Sequence, residues 1–316
     1  MTAPSPFSPT LPTHRLAWDS TSLGLFKECP RKYYYQMVLG YQSKGQNVHL
    51  TFGLLYHASL ERYDHALASG QDHETALDTM VQWALENSGT RTNGTFTPWE
   101  SGDEFKNRYT LIRSVVWYVE EHRNSHLRTL ILDNGKPAVE LSFKFEAFDV
   151  GGEPITLCGH MDKLVHEEGS RDRIWCSDHK TTKSALTDHW FKSFTPHNQF
   201  SLYTIAGNIV LGADRCQGVI VNGAQIQVGF TRFGQRPAPR PKAVLSEWLS
   251  DAKLWITHAR GCAESDHWPM NDKSCTSYGG CPFAKVCAVS PTHRTSWLKS
   301  DFVEFNWNPL ATRGDI

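Results

Sequence analysis

Apolar positions recur at helical spacing through the first 136 residues of the chain and at strand spacing immediately afterwards. TFGLLYHASLERYDHALASG (51–70) is amphipathic and predicts a helix stopping at Gly70. HETALDTMVQWALENSG (73–89) and GDEFKNRYTLIRSVVWYVEEHR (102–123) predict two more, separated by a loop with Gly94, Pro98 and Gly102. Ahead of them, STSLGLFKECPRKYYYQMVLG (20–40) starts with Ser/Thr caps and stops at Gly40, predicting a helix interrupted or begun near Pro30. From residue 137 the period becomes two. AVELSFKFEAFDV (138–150), PITLCGHMDKLVHE (154–167) and DRIWCSDHKTT (172–182) predict an antiparallel meander, with turns at Gly151-Gly152 and Gly169-Ser170. TPHNQFSLYTIAGNIVLG (195–212) reads as a helix, QGVIVNGAQIQVGF (217–230) as one or two strands and RFGQRPAPRPK (232–242) as a basic, proline-rich loop. AVLSEWLSDAKLWITHARGCAE (243–264) is a long helix leading to a cysteine-rich segment, and no internal repeat is evident.

Composition adds bounds to that outline. With 316 residues, 40% hydrophobic and 21% charged, the chain suits one large soluble domain or two ordinary ones. No apolar run is long enough to span a bilayer. MTAPSPFSPTLPTHR, rich in Pro, Ser and Thr, has no signal-peptide h-region and reads as part of a flexible arm (1–20) on a cytoplasmic protein. The net charge of −1 excludes a generally basic nucleic-acid coat, so any contact with nucleic acid must come from local patches.

Two clusters carry chemistry. Asp162 closes GHMD, and Asp178 and Lys180 form DHK on the next strand. Residues i and i+2 of a strand share a face, and a turn can bring Asp162 alongside Asp178. Two carboxylates beside a lysine suit a hard divalent cation, which can activate water and neutralise charge developing on a phosphate. The lysine would orient or deprotonate that water. A lone Asp-x-Lys is commonly a solvated surface pair, and what adds weight here is the strand order and the glycine-led first aspartate. The second cluster is CTSYGGCPFAKVC, with Cys275, Cys281 and Cys287 six positions apart. Zinc and iron–sulfur clusters usually take four protein ligands. The fourth would be one of Cys29, Cys158, Cys176, Cys216 and Cys262, or a histidine such as His267 or His293. A reducing compartment favours metal ligation over disulfides.

GHMDKL followed by IWCSDHKTTK resembles the core of the PD-(D/E)XK nuclease superfamily in its RecB-like exonuclease branch. Three further signals fall in that branch's order: Gly53 and His57 on the earlier helix, Glu140 on the strand leading into the core, and Gln199 with Tyr203 on the helix after it. The resemblance spans about 22–287 and implies an α/β fold with a restriction-endonuclease-like core, a central mixed sheet flanked by helices. It implies His57, Asp162, Asp178 and the backbone carbonyl of His179 as ligands of Mg²⁺ or Mn²⁺, and Lys180 as the catalytic lysine. Gln199 and Tyr203 would line the active site. The superfamily's proline is absent, and the second acid is Asp where many members have Glu.

One subgroup of that branch, which includes CRISPR adaptation nucleases and phage exonucleases, holds an iron–sulfur cluster with one cysteine upstream of the core and three downstream. It implies Cys29, Cys275, Cys281 and Cys287 as ligands of a 4Fe–4S cluster, with zinc as the alternative at the same sulfurs. The expected organisation is one nuclease domain over 21–290, made of a helical block (22–136), a catalytic core (137–232) and a long helix with the cluster segment (243–290). A tail over 291–316 follows, and its Arg313-Gly314-Asp315 triplet is read as chance. The expected activity is exonucleolytic hydrolysis of DNA with free ends or in single strands, in phage or prophage recombination and processing. A recombination or replication protein is the expected partner, and the cytoplasm, of the host if phage-encoded, the expected location. Candidate DNA-binding residues are Arg31, Lys32, Lys183, Arg232, Arg236 and Arg240. The rival is a non-catalytic iron–sulfur DNA-binding subunit that keeps the nuclease fold.

Overall fold

The computed structural model describes residues 5–45, 47–170, 172–212, 214–277 and 280–311. In chain order, β1 (Ala17–Trp18) leads to α1 (Ser20–Glu28), whose N-terminus is closed reciprocally by Asp19 and Ser22. Cys29 is extended, as a residue preceding proline is driven to be, and α2 (Pro30–Tyr33) restarts beyond it. The helix then widens over Tyr34–Val38, where Leu39 N–H donates to Tyr34 O five residues back, before β2 (Tyr41–Ser43). Next come α3 (Val48–Ala68), α4 (His73–Asn87), β3 (Gly89–Thr92), β4 (Thr95–Pro98), α5 (Arg108–Glu121) and β5 (Leu127–Thr129). The meander is β6 (Val139–Val150), β7 (Glu153–Glu167) and β8 (Ile174–Thr182). After it stand α6 (Asp188–Lys192), α7 (Asn198–Leu211), β9 (Cys216–Ile226), β10 (Thr231–Pro239) and α8 (Lys242–Glu264). The short α9 (Ala284–Ala288), α10 (Arg294–Asp301) and β11 (Phe302–Glu304) complete the order.

The chain forms two compact units. One comprises Met1–Gly45, Ser142–Gly159 and Lys242–Ile316, the other Gln46–Leu141 and His160–Pro241. In the first, Trp18 stacks on Tyr33 at 5.3 Å between centroids, and Phe26 meets both rings edge-on. A second cluster joins Tyr35, Phe283, Val286, Leu298 and Phe302, with Cys281 and Cys287 packed against it. The second unit holds a mixed sheet: β7 and β8 antiparallel, β8 and β9 parallel, β9 and β10 antiparallel, and β5 antiparallel to β7. Its core joins Phe52, Tyr56 and Leu60 of α3 to Leu111 and Val115 of α5 and to Ala224 and Ile226 of β9. The spacing of four along α3 places its three residues on one stripe. Each such side chain contributes ~1.5–3 kcal/mol by leaving water. No helix among the described residues is long and apolar enough to cross a membrane.

Three expectations change. The described part of the expected flexible arm is packed: Ser8, His14 and Arg15 are buried, and Arg15 donates to the carbonyls of Met37 and Trp307. Met1–Pro4 lie outside the described residues. The loop expected after α4 contains a hairpin, β3 to β4, whose turn residues Asn93 and Gly94 have φ of 51° and 83°. Asn-Gly favours that turn because both residues tolerate positive φ. The proline-rich loop is β10, paired to β9 from Thr231 to Pro239 and last in the strand order. A strand at the edge leaves one side of its backbone unpaired, so the missing N–H groups of Pro237 and Pro239 cost no ladder bond there. The tail docks on its own unit: β11 pairs with β2, and Trp307 Nε1 donates to Asp19. The Arg313-Gly314-Asp315 triplet lies outside the described residues.

Candidate active site

The site lies in the second unit, where β7 and β8 part. Their register runs from His166 opposite Ile174 to Lys163 opposite Ser177. One residue on, Asp162 Oδ2 accepts the His179 N–H at 3.2 Å, so a carboxylate stands in the place of a ladder carbonyl. Alternation along β8 sends its side chains to opposite faces. Cys176 and Lys180 point to α7, where Cys176 Sγ meets Tyr203 O and Lys180 Nζ donates to Gln199 Oε1 at 2.7 Å. Ser177 and His179 point to α3 and α5: Ser177 Oγ accepts from Asn222, and the His179 ring packs on Tyr56 and Tyr118. Asp178, on the Lys180 side, is 1% exposed, and its Oδ2 is 2.7 Å from Lys180 Nζ.

From α3, His57 Nδ1 approaches Asp162 Oδ2 at 2.9 Å. Seven residues on, Asp64 takes Lys163 Nζ at 2.8 Å on both oxygens. Two helical turns separate the donor His57 from the acceptor Asp64 on α3, and neighbouring residues of β7 meet them, so the helix is fastened to the strand at both ends of the site. On α7, Gln199 and Tyr203 share a face as i and i+4, and Gln199 Nε2 donates to Tyr203 Oη at 2.9 Å. The amide is thereby locked with its oxygen toward Lys180.

Electrostatics separate the two carboxyls. Burial works against ionised Asp162, but the facing His57 imidazole outweighs it and holds this carboxyl well below the usual range. His57 is the other half of that pair: burial disfavours its charge, and Asp162 reverses this and raises its pKa. Asp178 is raised, first by burial and then by Asp162, against the pull of Lys180. Burial keeps the His179 imidazole neutral, far below its ordinary value. Two carboxyls whose surroundings drive their pKa values apart are a signature of functional sites.

The donor set fits a hard divalent cation: two carboxylates and an imidazole. Asp178 Oδ2 is buried and makes no hydrogen bond of good geometry, despite its ion pair with Lys180. Among the described residues, however, no three His, Cys, Asp or Glu side chains gather closely enough to hold a metal ion as they stand. The imidazole and Asp162 are turned toward each other, and the bond uses Nδ1 of His57, leaving Nε2 as the nitrogen for a ligand.

Two residues here escaped sequence reasoning. One is Asp64. The other is Lys106, 4% exposed, whose Nζ donates to Thr181 Oγ1 at 3.0 Å beside Lys180. Burial, with Lys183 nearby, lowers its pKa to about 8. Neither has a local signal, since each is defined by a partner about a hundred or seventy-five residues away. Glu140 has a φ of 50° just inside β6. A non-glycine residue held there is under strain of the kind found at functional sites.

Of the DNA-binding candidates, Arg240 is corrected: it is 3% exposed, with Nη2 donating to Phe194 O at 2.5 Å. Lys183 pairs with Asp103 at 2.6 Å, Lys32 with Glu28 at 2.9 Å, and Arg31 Nε donates to Trp268 O. Arg232 and Arg236 are exposed and lie over the rings of Phe230 and Phe191.

In the first unit, Cys29 is buried where α1 breaks, and its Sγ accepts from Asn271 N–H at 3.4 Å. Cys281 N–H donates to Cys275 O at 2.8 Å. Burial raises the thiol of Cys281, and Cys275 and Cys29 push it the same way. Burial likewise raises Cys287, reinforced by Cys281 and Cys29. Among the described residues these sulfurs do not gather closely enough to hold a metal ion as they stand. Cys176 and Cys216 are buried in the other unit, 3.6 Å apart.

A mixed sheet that opens at paired aspartates, with a lysine on the second strand and a histidine on the preceding helix, brings together the residue types that metal-assisted hydrolysis uses. The chain belongs to the PD-(D/E)XK nuclease superfamily, whose family model matches residues 18–288. No curated protein matches its sequence significantly. Among solved structures it is similar to a protein from Eubacterium rectale described as "Putative exonuclease", at 12% identity and a TM-score of 0.48, over 87% of this chain and 91% of that one. A second similar structure is SSO0001, at 13% identity and a TM-score of 0.31, over 76% and 77% of the two chains. Likenesses this distant decide nothing about chemistry.

Proposed function

We propose that this protein is a Mg²⁺- or Mn²⁺-dependent DNA exonuclease. The observation that supports this best is the convergence of Asp162, Asp178, Lys180 and His57, joined by Gln199 and Tyr203, at the parting of β7 and β8. Asp162, Asp178, His57 and the His179 carbonyl would hold the cation. When bound, the cation would supply a Lewis acid for the phosphate and lower the pKa of a water. Lys180, fixed by Gln199 and paired as a cation with Asp178, would orient a water at the phosphate. Gln199 and Tyr203 line the wall nearest the substrate.

A 4Fe–4S cluster on Cys29, Cys275, Cys281 and Cys287, or zinc at the same sulfurs, is part of this reading as a structural staple. The substrate is DNA with free ends or in single strands. The setting is phage or prophage recombination, in the cytoplasm of the host, with a recombination or replication protein as partner. The alternative, a non-catalytic accessory subunit, gives no reason for Asp178 to stay buried beside Asp162, since a retired site relaxes such a costly pairing.

The test is digestion of end-labelled single- and double-stranded DNA by anaerobically prepared protein, with Mn²⁺ or with chelator. Release of label as short products with Mn²⁺ alone is expected. Intact DNA under both conditions, with a protein that binds it, would select the accessory subunit. Cleavage of closed circles as fast as linear DNA would replace exonuclease by endonuclease.

A further inference from the structure

Helix α5 has two faces with different tasks. One carries Leu111, Val115 and Tyr118 into the core of the second unit. The Tyr118 ring there stands 5.0 Å from that of His179, the neighbour of Asp178. The other carries Tyr109, Arg113 and Trp117, which at i, i+4 and i+8 form a single stripe. Tyr109 is 71% exposed and Trp117 42%. Exposure of that extent is unusual for rings that would each remove well over 100 Å² from water if buried.

The stripe is fixed. The guanidinium of Arg113 lies between the two rings, 5.8 Å from the Tyr109 centroid and 5.2 Å from that of Trp117. It is held by the carbonyls of Gln227, Val228 and Phe230 at 2.5, 2.6 and 3.1 Å. Carbonyls orient the group without neutralising it. Arg108, five residues before, lies over Phe96 and donates to Leu85 O and Ser88 Oγ, which again leaves its charge. Trp99 and Pro98 close the other side of an open groove of about 460 Å³, and no carboxylate is among the residues that line it. Glu100, Asp103 and Glu104 line the neighbouring groove that shares Trp99, Arg108 and Tyr109, so positive charge is confined to the Arg108–Arg113 side of the aromatic stripe.

We propose that this face binds single-stranded nucleic acid, with bases stacked on Tyr109 and Trp117 and phosphates drawn to Arg108 and Arg113. Exposed rings interleaved with fixed guanidiniums suit an unpaired strand, because every base has a π-face and every linkage a charge. A duplex hides its base faces and would leave both rings in water. An apolar partner helix would have to desolvate the guanidiniums at a cost nothing here offsets. The stripe lies one helix diameter, ~10 Å, from the face of α5 that meets His179, and a strand held here would have to continue past that helix to reach Asp162 and Asp178. Only that last step rests on the nuclease reading; the binding needs neither cation nor hydrolysis.

The experiment is fluorescence anisotropy of labelled oligo(dT) with the full chain in chelator, beside an abasic oligomer of equal length and a blunt duplex. Oligo(dT) should bind more tightly than either and quench tryptophan emission. Stacking contributes ~1–3 kcal/mol per base. Tyr109→Ala and Trp117→Ala should therefore each weaken oligo(dT) about 5- to 150-fold, with little effect on the abasic oligomer and unchanged melting temperature, and Trp117→Phe should restore most of the loss. Arg108→Ala should weaken all ligands alike and flatten the salt dependence. Wild-type affinity in the Tyr109→Ala/Trp117→Ala double variant, or equal affinity for abasic and oligo(dT) ligands, overturns the proposal. If the wild-type protein binds oligo(dT) through the stripe but releases no label from it with Mn²⁺, the nuclease reading fails and the binding proposal stands.

Discussion

Asp178→Asn should make the metal-free protein more stable and the metal-loaded protein less stable than wild type. Asp178 is 1% exposed, with Lys180 as its near cation and Asp162 as its like-charged neighbour. The sign follows from the direction of its pKa. The folded value is raised, so the fold prefers the neutral carboxyl even after Lys180 has drawn it the other way. Ionised Asp178 therefore costs stability at neutral pH, and the cost is relieved as pH falls through the raised value. Asparagine has the same shape without the charge, and Lys180 keeps its bond to Gln199. Replacing a whole buried ion pair by neutral groups returns ~1–4 kcal/mol. Because Lys180 is partly exposed and still bonded to Gln199, it is not left as a buried unpaired charge, so ~1–2 kcal/mol is expected here. For a unit of this size, 1 kcal/mol corresponds to ~2–4 °C in melting temperature. A rise of about 2–8 °C is expected in chelator. Mn²⁺ at a hundred times its dissociation constant should add ~2.7 kcal/mol to wild type. The amide variant should gain far less, so the order of melting temperatures inverts. The assay is thermal unfolding of both proteins in chelator and across a Mn²⁺ titration. A lower melting temperature for Asp178→Asn in chelator would mean that the Asp178–Lys180 pair is structural. An equal Mn²⁺ shift in both proteins would remove Asp178 from the ligand set.

His57 should make metal-free stability fall as pH rises. Its raised pKa means that the bond to Asp162 contributes fully below 6.5 and is lost as pH climbs through the folded value. Unfolding midpoints across that range should slope for wild type and flatten in His57→Gln, while Mn²⁺ affinity in wild type rises over the same window as the imidazole sheds its proton. A pH slope of equal size in His57→Gln would refute this. Lys106, lowered by burial from 10.5 to about 8, contributes the opposite slope: between those values the unfolded chain binds more protons, so stability rises with pH. The gap amounts to ~3 kcal/mol. Lys106→Met should then be ~1–3 kcal/mol more stable at pH 7, after losing the bond to Thr181, and the advantage should shrink by pH 10 in urea titrations. A less stable variant at pH 7 would show that Lys106 is held for its charge-assisted bond.

What the sequence disclosed was what local chemistry determines. The i, i+2 spacing of Asp178 and Lys180 implied a shared face, and the parting of β7 and β8 at Asp162 is compatible with it. Gln199 and Tyr203 could be paired because four residues make one helical face. The Asn93-Gly94 hairpin was equally local but lay between polar threonines, with no alternating apolar face to announce strands. The prolines of β10 argued for a loop, and only the strand order shows that this is an edge. Asp64 and Lys106 were out of reach for a different reason. Isolated charges on a helix or in the bend before one are normally solvated, and these acquire meaning only from Lys163 and Thr181 across the fold. Arg240 failed in the same way: a guanidinium in a basic run looks like a phosphate contact until its carbonyl partner is known.

The cysteines and the hydrolytic residues fall in different units, which makes their roles separable. The segment around Cys275 is already tied to the break between α1 and α2 without any metal. Asn271 Nδ2 and Ser274 Oγ donate to Glu28 O at 2.8 and 2.7 Å, and Arg31 N–H donates to Pro269 O at 3.1 Å. A metal bound by Cys29 and the three downstream cysteines would therefore act chiefly on the unfolded chain, by closing a loop of roughly 250 residues. In the chain-entropy picture that closure is worth up to ~5 kcal/mol. Cys29→Ser should bleach an anaerobically prepared protein and lower the melting of the first unit by an amount of that order. Because the second unit's ligands lie elsewhere, Mn²⁺ affinity should stay within about twofold of wild type. Colour that survives Cys29→Ser would break the proposed tie between the two segments. Stoichiometric zinc without iron would replace the cluster and keep the staple. A collapse of Mn²⁺ affinity in a variant whose second unit still melts cooperatively would mean that the cysteines govern the hydrolytic site, and the separation would be wrong.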